Sequence, residues 1–185
     1  MKVSREQAAR NREAVVDAAS RLFRAQGVDG AGIAEIMAEG GLTHGGFYKQ
    51  FGSKDVLAAE ACARSLERSA AKWRGIASTA GSNALGAIAE NYLSARNRDA
   101  PERGCALIGL GADAARKGGA LAGAYRAGME GLTDVLEGAG VNRSAALARL
   151  SQLVGAMVLA RAVKDEALSD EIMAAARDAL AASQG

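Results

Sequence analysis

Residues 33–55 read Ile-Ala-Glu-Ile-Met-Ala-Glu-Gly-Gly-Leu-Thr-His-Gly-Gly-Phe-Tyr-Lys-Gln-Phe-Gly-Ser-Lys-Asp, and this stretch decides the fold. Ile33, Ile36 and Met37 lie on one face of a short helix that Gly40 and Gly41 end. Leu42 is an apolar plug for the turn. Thr43 is a good N-cap for a further short helix carrying Phe47 and Phe51 inward. Two short helices joined by a tight turn make a helix-turn-helix. Residues 40–54 contain no acid, while His44, Lys49 and Lys54 all lie there. A small positive tip of this kind suits phosphate contact.

Upstream, Ser4-Arg5-Glu6-Gln7 has the form of a capping box, so a first helix begins there and runs to about Gln26, where Gly27 supplies a stop. Val15, Val16, Ala19, Leu22 and Phe23 recur at helical spacing. With Ile33, Ile36, Met37, Leu42, Phe47 and Phe51 they make one small three-helix core. Downstream, Ser53 caps a long helix that carries Val56, Leu57, Ala61, Leu66 and Trp73 to about Ser78. It is the natural mechanical link between the tip and the second half.

Further helices follow. One bears Leu85, Ile88, Ala89, Tyr92 and Leu93 and ends near residues 98–101, where Pro101 marks a loop. The next runs from Cys105 to about Lys117 and is weakened by Gly109 and Gly111, each costing ~1 kcal/mol relative to alanine. Leu121, Tyr125, Met129, Leu132 and Leu136 share a face of the next. Residues 144–163 are apolar over most of their circumference, which requires burial on more than one side. A last helix starts at Ser169 as N-cap, with Asp170 and Glu171 suiting its dipole and a Leu168–Met173 staple, and runs to about Ala182.

The expected fold is all-α, about nine helices, with residues 1–52 as a helix-turn-helix domain and 53–185 as a second helical domain. Aromatic residues make up 4% of the chain and there is one proline, which favours helices packed through small side chains. The net charge of +2 does not by itself identify a nucleic-acid binder. The N-terminus lacks the apolar run of a signal peptide and no segment offers ~20 uninterrupted apolar residues, so a cytoplasmic protein without a membrane partner is expected. Two cysteines and one histidine are too few for a disulfide framework, a zinc cluster or a histidine-dependent triad. No enzyme, metal or cofactor is expected.

The pattern from Arg12 to Phe23, Gly27, residues 33–41, Leu42-Thr43-His44-Gly45-Gly46-Phe47-Tyr48, Phe51 and residues 54–57 resembles the TetR family of transcriptional repressors. The likeness is dense over the first third of the chain; beyond it only helix number, length and the apolar helix 144–163 agree. The heptapeptide beginning at Leu42, with Arg103-Gly104-Cys105, resembles a subgroup in which some members respond to electrophiles or small aromatic compounds. Gly32 stands where the family usually has a threonine or serine N-cap, and Gly40 where alanine is usual, so the second helix is expected to fray at both ends. Gly45 and Gly46 further predict a tip that is loose when free.

Helical geometry and the resemblance together divide the tip. Thr43, Tyr48 and Lys54 are the candidates for phosphate. His44 and Lys49 are the candidates for base edges, with Gly45 permitting close approach to the major groove. Arg5 is either a further contact or a solvated arginine. Trp73, Tyr92, Cys105, Tyr125 and Met129 are the candidate ligand-binding residues, although as a set they read equally well as ordinary core. Cys105 follows Gly104 at a helix start beside Arg103, a setting that can lower a thiol pKa; the alternative is a small packed residue. Cys62 is most simply packed.

The resemblance implies a homodimer through residues 144–163 and 169–182, a near-palindromic double-stranded DNA operator, and release by a small-molecule inducer. The other reading is a helical protein-interaction adaptor, in which residues 144–163 dock a different protein.

Overall fold

The computed structural model describes residues 5–182, and among these all regular structure is helical. Ser4, the expected first N-cap, lies outside the described residues. Helix α1 spans Arg5–Gly30, with the backbone breaking at Gly27 (φ 77°, ψ 168°), the predicted stop. Helix α2 is Ile33–Glu39, α3 is Phe47–Phe51 and α4 is Lys54–Ala80. Then come α5 (Ala84–Tyr92), α6 (Ala95–Asp99), α7 (Ala106–Lys117), α8 (Gly119–Gly138), α9 (Arg143–Ala162) and α10 (Glu166–Ala182).

Three boundaries differ from the sequence reading. The fifth helix stops at Tyr92 because Leu93 leaves helical geometry; Ser94 then caps α6 by accepting from the Asn97 N–H, and Asn97 Nδ2 donates back to the Tyr92 carbonyl at 2.7 Å. The last helix starts earlier than Ser169, because Asp165 Oδ1 accepts the Leu168 N–H at 2.8 Å. Ser169 is instead buried and accepts from Arg98 Nη1 at 3.2 Å. At the tip, residues 44–46 form a 3-10 turn and the α-helix begins only at Phe47, as the low helix propensity of Gly45 and Gly46 favours.

Val15, Val16, Ala19, Phe23, Ile36, Met37, Phe47 and Phe51 are buried in one cluster, with Leu22, Ile33 and Leu42 packed at its edge. That cluster continues without interruption along α4 through Leu57, Ala61, Leu66 and Trp73 into the second half. Arg12 grips Glu60 through both terminal guanidinium nitrogens, Nη1 and Nη2, and Asp17 receives Arg64 at 2.9 Å and Arg68 at 3.0 Å, so polar pairs flank the α1–α4 contact. Except for Arg68, the side chains in these pairs are half-buried.

Helix α7 is clamped onto α1. The buried Asp113 carboxylate accepts the Val28 N–H at 2.8 Å, satisfying a donor freed by the break at Gly27. Gly109 lies directly against Arg24: a Cβ there would stand 2.7 Å from the Arg24 carbonyl oxygen. Arg24 Nε donates to the Glu102 carbonyl at 3.0 Å and Nη1 to Ser65 Oγ at 2.6 Å. Lys117 reaches Asp29 at 2.7 Å. Glycine at 40 has the same meaning, since a Cβ would come within 2.7 Å of Val15 Cγ2 and 3.0 Å of its Cα. Far from fraying there, α2 closes with the Gly40 N–H donating to Ile36 O at 3.0 Å. Its other end does lack a side-chain cap at Gly32.

Helix α9 is the one described helix long and apolar enough to cross a membrane by length and composition. It packs instead against α8 and α10 and buries Ala146, Leu150, Leu153 and Met157. Asn142 caps it, accepting the Ala145 N–H at 2.9 Å.

Candidate functional site

Phe47 is fully buried, 5.7 Å from the Phe51 ring, and the Arg12 guanidinium lies 4.8 Å above Phe51. These anchors fix the direction of α3. On an α-helix the residue after a buried position points away from the core, and Tyr48 is accordingly 64% exposed with its ring edge-on to Phe47. Thr43, His44, Gly45 and Lys49 are exposed beside it, and Lys54 is half-buried at the start of α4. All six predicted tip residues therefore lie on the turn, on α3 or on the first turn of α4.

Thr43 has the extended backbone of an N-cap (φ −83°, ψ 149°), but its hydroxyl accepts from no backbone N–H of the 3-10 turn. It remains available to an outside acceptor. The acids flanking the tip are engaged elsewhere: Glu39 by Arg21 at 2.6 Å, and Asp55 by Lys117 at 3.8 Å. Among the described residues Lys49 and Lys54 form no ion pair; Lys54 only adds its field to the Lys117 bond that holds the Asp29 carboxyl below its usual range. Gly45 has nothing within 4 Å of an added Cβ, leaving its backbone open to close approach. Gln50, which the sequence did not single out, lies beneath the tip with Oε1 buried and unpartnered.

The candidate ligand residues fall in the core of the second half. Trp73 and Tyr92 meet edge-on at 5.5 Å, and the buried Tyr92 hydroxyl faces the Cys105 thiol. Tyr125 donates to the Leu107 carbonyl at 3.0 Å, and Met129 is half-buried at the cluster's edge. Trp73, Tyr92, Cys105 and Tyr125 are brought together as packed side chains.

Cys105 is the N-cap residue of α7 and is buried. Burial pushes its thiol above the ordinary range and outweighs the opposite influence of Leu107, Tyr92, Ser69 and Arg24. The lowered thiol pKa expected from the helix start and Arg103 is therefore reversed by desolvation. Burial likewise pushes the Cys62 thiol up to about 12. Both thiols are expected to resist a maleimide at pH 8 in the folded protein and to react fully in urea. The raised folded-state pKa means that the unfolded chain ionises first. The stabilisation from Cys62 is thus complete below an unfolded thiol pKa of ~8.5 and is lost as pH rises toward 12. Urea midpoints measured across that window should fall more steeply for the native chain than for Cys62→Ala.

Residues 15–61 match the model of the family described as bacterial regulatory proteins, tetR family. The matched segment contains α2, the turn, α3 and the parts of α1 and α4 that bury Phe47. The match identifies this segment as a helix-turn-helix like that of the family's members. No curated protein matches the chain. Among solved structures, the reduced form of NemR from E. coli is similar with a TM-score of 0.78 at 18% identity, covering 92% of this chain and 95% of that one. A TetR-family transcriptional regulator from Cytophaga hutchinsonii gives 0.77 at 18% identity, covering 98% of each. The multidrug binding protein EbrR complexed with imidazole gives 0.63 at 21% identity, covering 89% of this chain and 93% of that one. The fold thus extends over nearly the whole chain.

Proposed function

We propose that this chain is a ligand-released transcriptional repressor, acting in the cytoplasm as a homodimer on a near-palindromic operator. The carrying observation is the tip: Tyr48 and Lys49 stand exposed on a helix pinned by buried Phe47 and Phe51, within the segment that matches the tetR family. Residues 1–52 form the DNA-binding domain and 53–185 the ligand-binding and dimerisation domain. Thr43, Tyr48 and Lys54 hold phosphate, His44 and Lys49 read bases, and Gly45 admits the groove edge.

Dimerisation uses α9 and α10. Val158, Leu159 and Leu168 are 42%, 56% and 45% exposed there, and Gly155 and Ala162 lie on the same stripe of α9. A second copy covering this face builds a four-helix bundle and sets two tips ~34–36 Å apart. The inducer is a small apolar, aromatic or electrophilic compound received near Trp73, Tyr92, Cys105, Tyr125 and Met129, which requires Tyr125 to leave its bond to Leu107. That EbrR binds imidazole supports a small aromatic ligand for this fold.

Release is a population shift toward a tip spacing that no longer fits DNA. A hundredfold loss of occupancy needs a coupling of about 2.7 kcal/mol. It reaches the tip through α4 and through the α7 clamp on α1. Selection of bound DNA from a random pool should return a palindrome, and sizing in solution should give a dimer. A monomer that selects no site would leave the adaptor reading instead.

A further inference from the structure

Between α6, the turn Pro101–Arg103, the end of α9 and the start of α10 lies a cleft of about 730 Å³. Its charged walls are Arg98, Asp99, Arg161, Lys164, Asp165 and Glu166. Nominal charge cancels, but pairing does not. Arg98 is taken up by Asp99 at 2.6 Å and Asp170 at 2.7 Å. Asp165 caps α10 through the Leu168 N–H. Glu166 reaches only to 3.9 Å from Arg98, and its side chain is 85% exposed and free to swing outward.

Two cations are left over. Arg161 donates to the Asn97 carbonyl at 2.5 Å, forms no salt bridge among the described residues, and leaves Nε buried without a partner. A half-buried guanidinium without a direct ion pair is costly; burial lowers its pKa, and Tyr92, Cys105 and the more distant Glu102 offset this only in part. Lys164 also forms no ion pair among the described residues. It is their one non-glycine at positive φ (53°), a conformation that L-residues adopt only under constraint. Pro101 and Ala160 supply an apolar wall.

We propose that this cleft binds a small organic anion, a carboxylate or a phosphate monoester, gripped by Arg161 and Lys164. The grip completes the missing ion pair of Arg161 and uses charge-assisted hydrogen bonds that an uncharged analogue cannot make. The cleft is also wired to the first half. Arg161 Nη2 stands 2.5 Å from where a Cβ of Gly104 would be, and the turn that supplies Pro101 presents the Glu102 carbonyl to Arg24 on α1. As an inducer site, the cleft rests on the repressor reading; as an anion site, it does not.

Titration of the full chain with benzoate, phenyl phosphate and benzamide, followed by calorimetry and by the Arg161 Nε–H resonance, tests the proposal. At least one of the two anions should bind and move that resonance, and benzamide should not. Arg161→Gln should weaken binding by at least ~tenfold. Lys164→Gly should do the same while relieving the backbone, which guards against a folding defect. Binding of neither anion, equal binding of benzamide and benzoate, or unchanged affinity in both variants would overturn the site. If the anion binds but no operator is selected, the repressor reading fails and the site stands; operator binding with no anion titrating has the opposite meaning.

Discussion

Replacing Tyr48 and Lys49 together by alanine is expected to weaken operator binding by ~10²–10⁴-fold while costing stability no more than the ~1 kcal/mol of the edge contact between Tyr48 and Phe47. The size follows from symmetry. A lost base contact costs ~1–3 kcal/mol, and a dimer on a near-palindrome loses it at both half-sites, with the Tyr48 phosphate contact removed as well. Fold stability is largely spared because Tyr48 is 64% exposed and Lys49 is exposed and unpaired, whereas Phe47 and Phe51 carry the packing. Loss of the Lys49 charge, and not of the uncharged Tyr48 hydroxyl, should also lower the slope of log affinity against log salt. Lys54→Ala should act mainly on that slope, and Lys49→Ala should change which bases are preferred. Equal loss on operator and random DNA in the Lys49 variant would return Lys49 to the backbone-contacting set. Undiminished binding by the double variant would remove the tip from the interface altogether.

Gly109→Ala is expected to destabilise the protein by ~1–3 kcal/mol, the range for overpacking a close contact. Helix propensity alone predicts the opposite sign, a gain of ~1 kcal/mol. The structure decides between them: the added Cβ would lie 2.7 Å from the Arg24 carbonyl oxygen and 2.9 Å from its Cα, and backbone cannot swing aside as a side chain can. Helix α7 must therefore back away from α1, straining the Asp113 to Val28 bond and the Lys117 to Asp29 pair. Gly45→Ala is the control, since it meets nothing within 4 Å and should leave stability nearly unchanged. Chemical denaturation of both variants reads the difference. A stabilised Gly109→Ala would show that the α1–α7 contact yields easily.

The tip was legible because its information is local. Paired glycines, a hydroxyl residue and two phenylalanines four apart specify a turn and a buried face within twenty residues. Local propensity also explains why the α-helix starts at Phe47 and not at Thr43. The last helix was misplaced by one turn because two good caps compete there, and Asp165 wins while Ser169 is drawn inside by Arg98. Cys105 shows the limit most clearly. Its sequence neighbours argue for an activated thiol, but the pKa is governed by what surrounds the sulfur, and burial beside Tyr92 reverses the sign.

By itself the sequence determined the helical class, the helix-turn-helix and the six candidate tip residues, since these follow from periodicity, caps and turn chemistry within short windows. Only the tertiary structure decided that Gly40 and Gly109 are contact points, that Asp113 bridges α7 to the break in α1, and that Arg161 and Lys164 share a cleft in which neither forms an ion pair. Those facts depend on residues far apart in the chain, and no local pattern records which backbone will lie against which side chain.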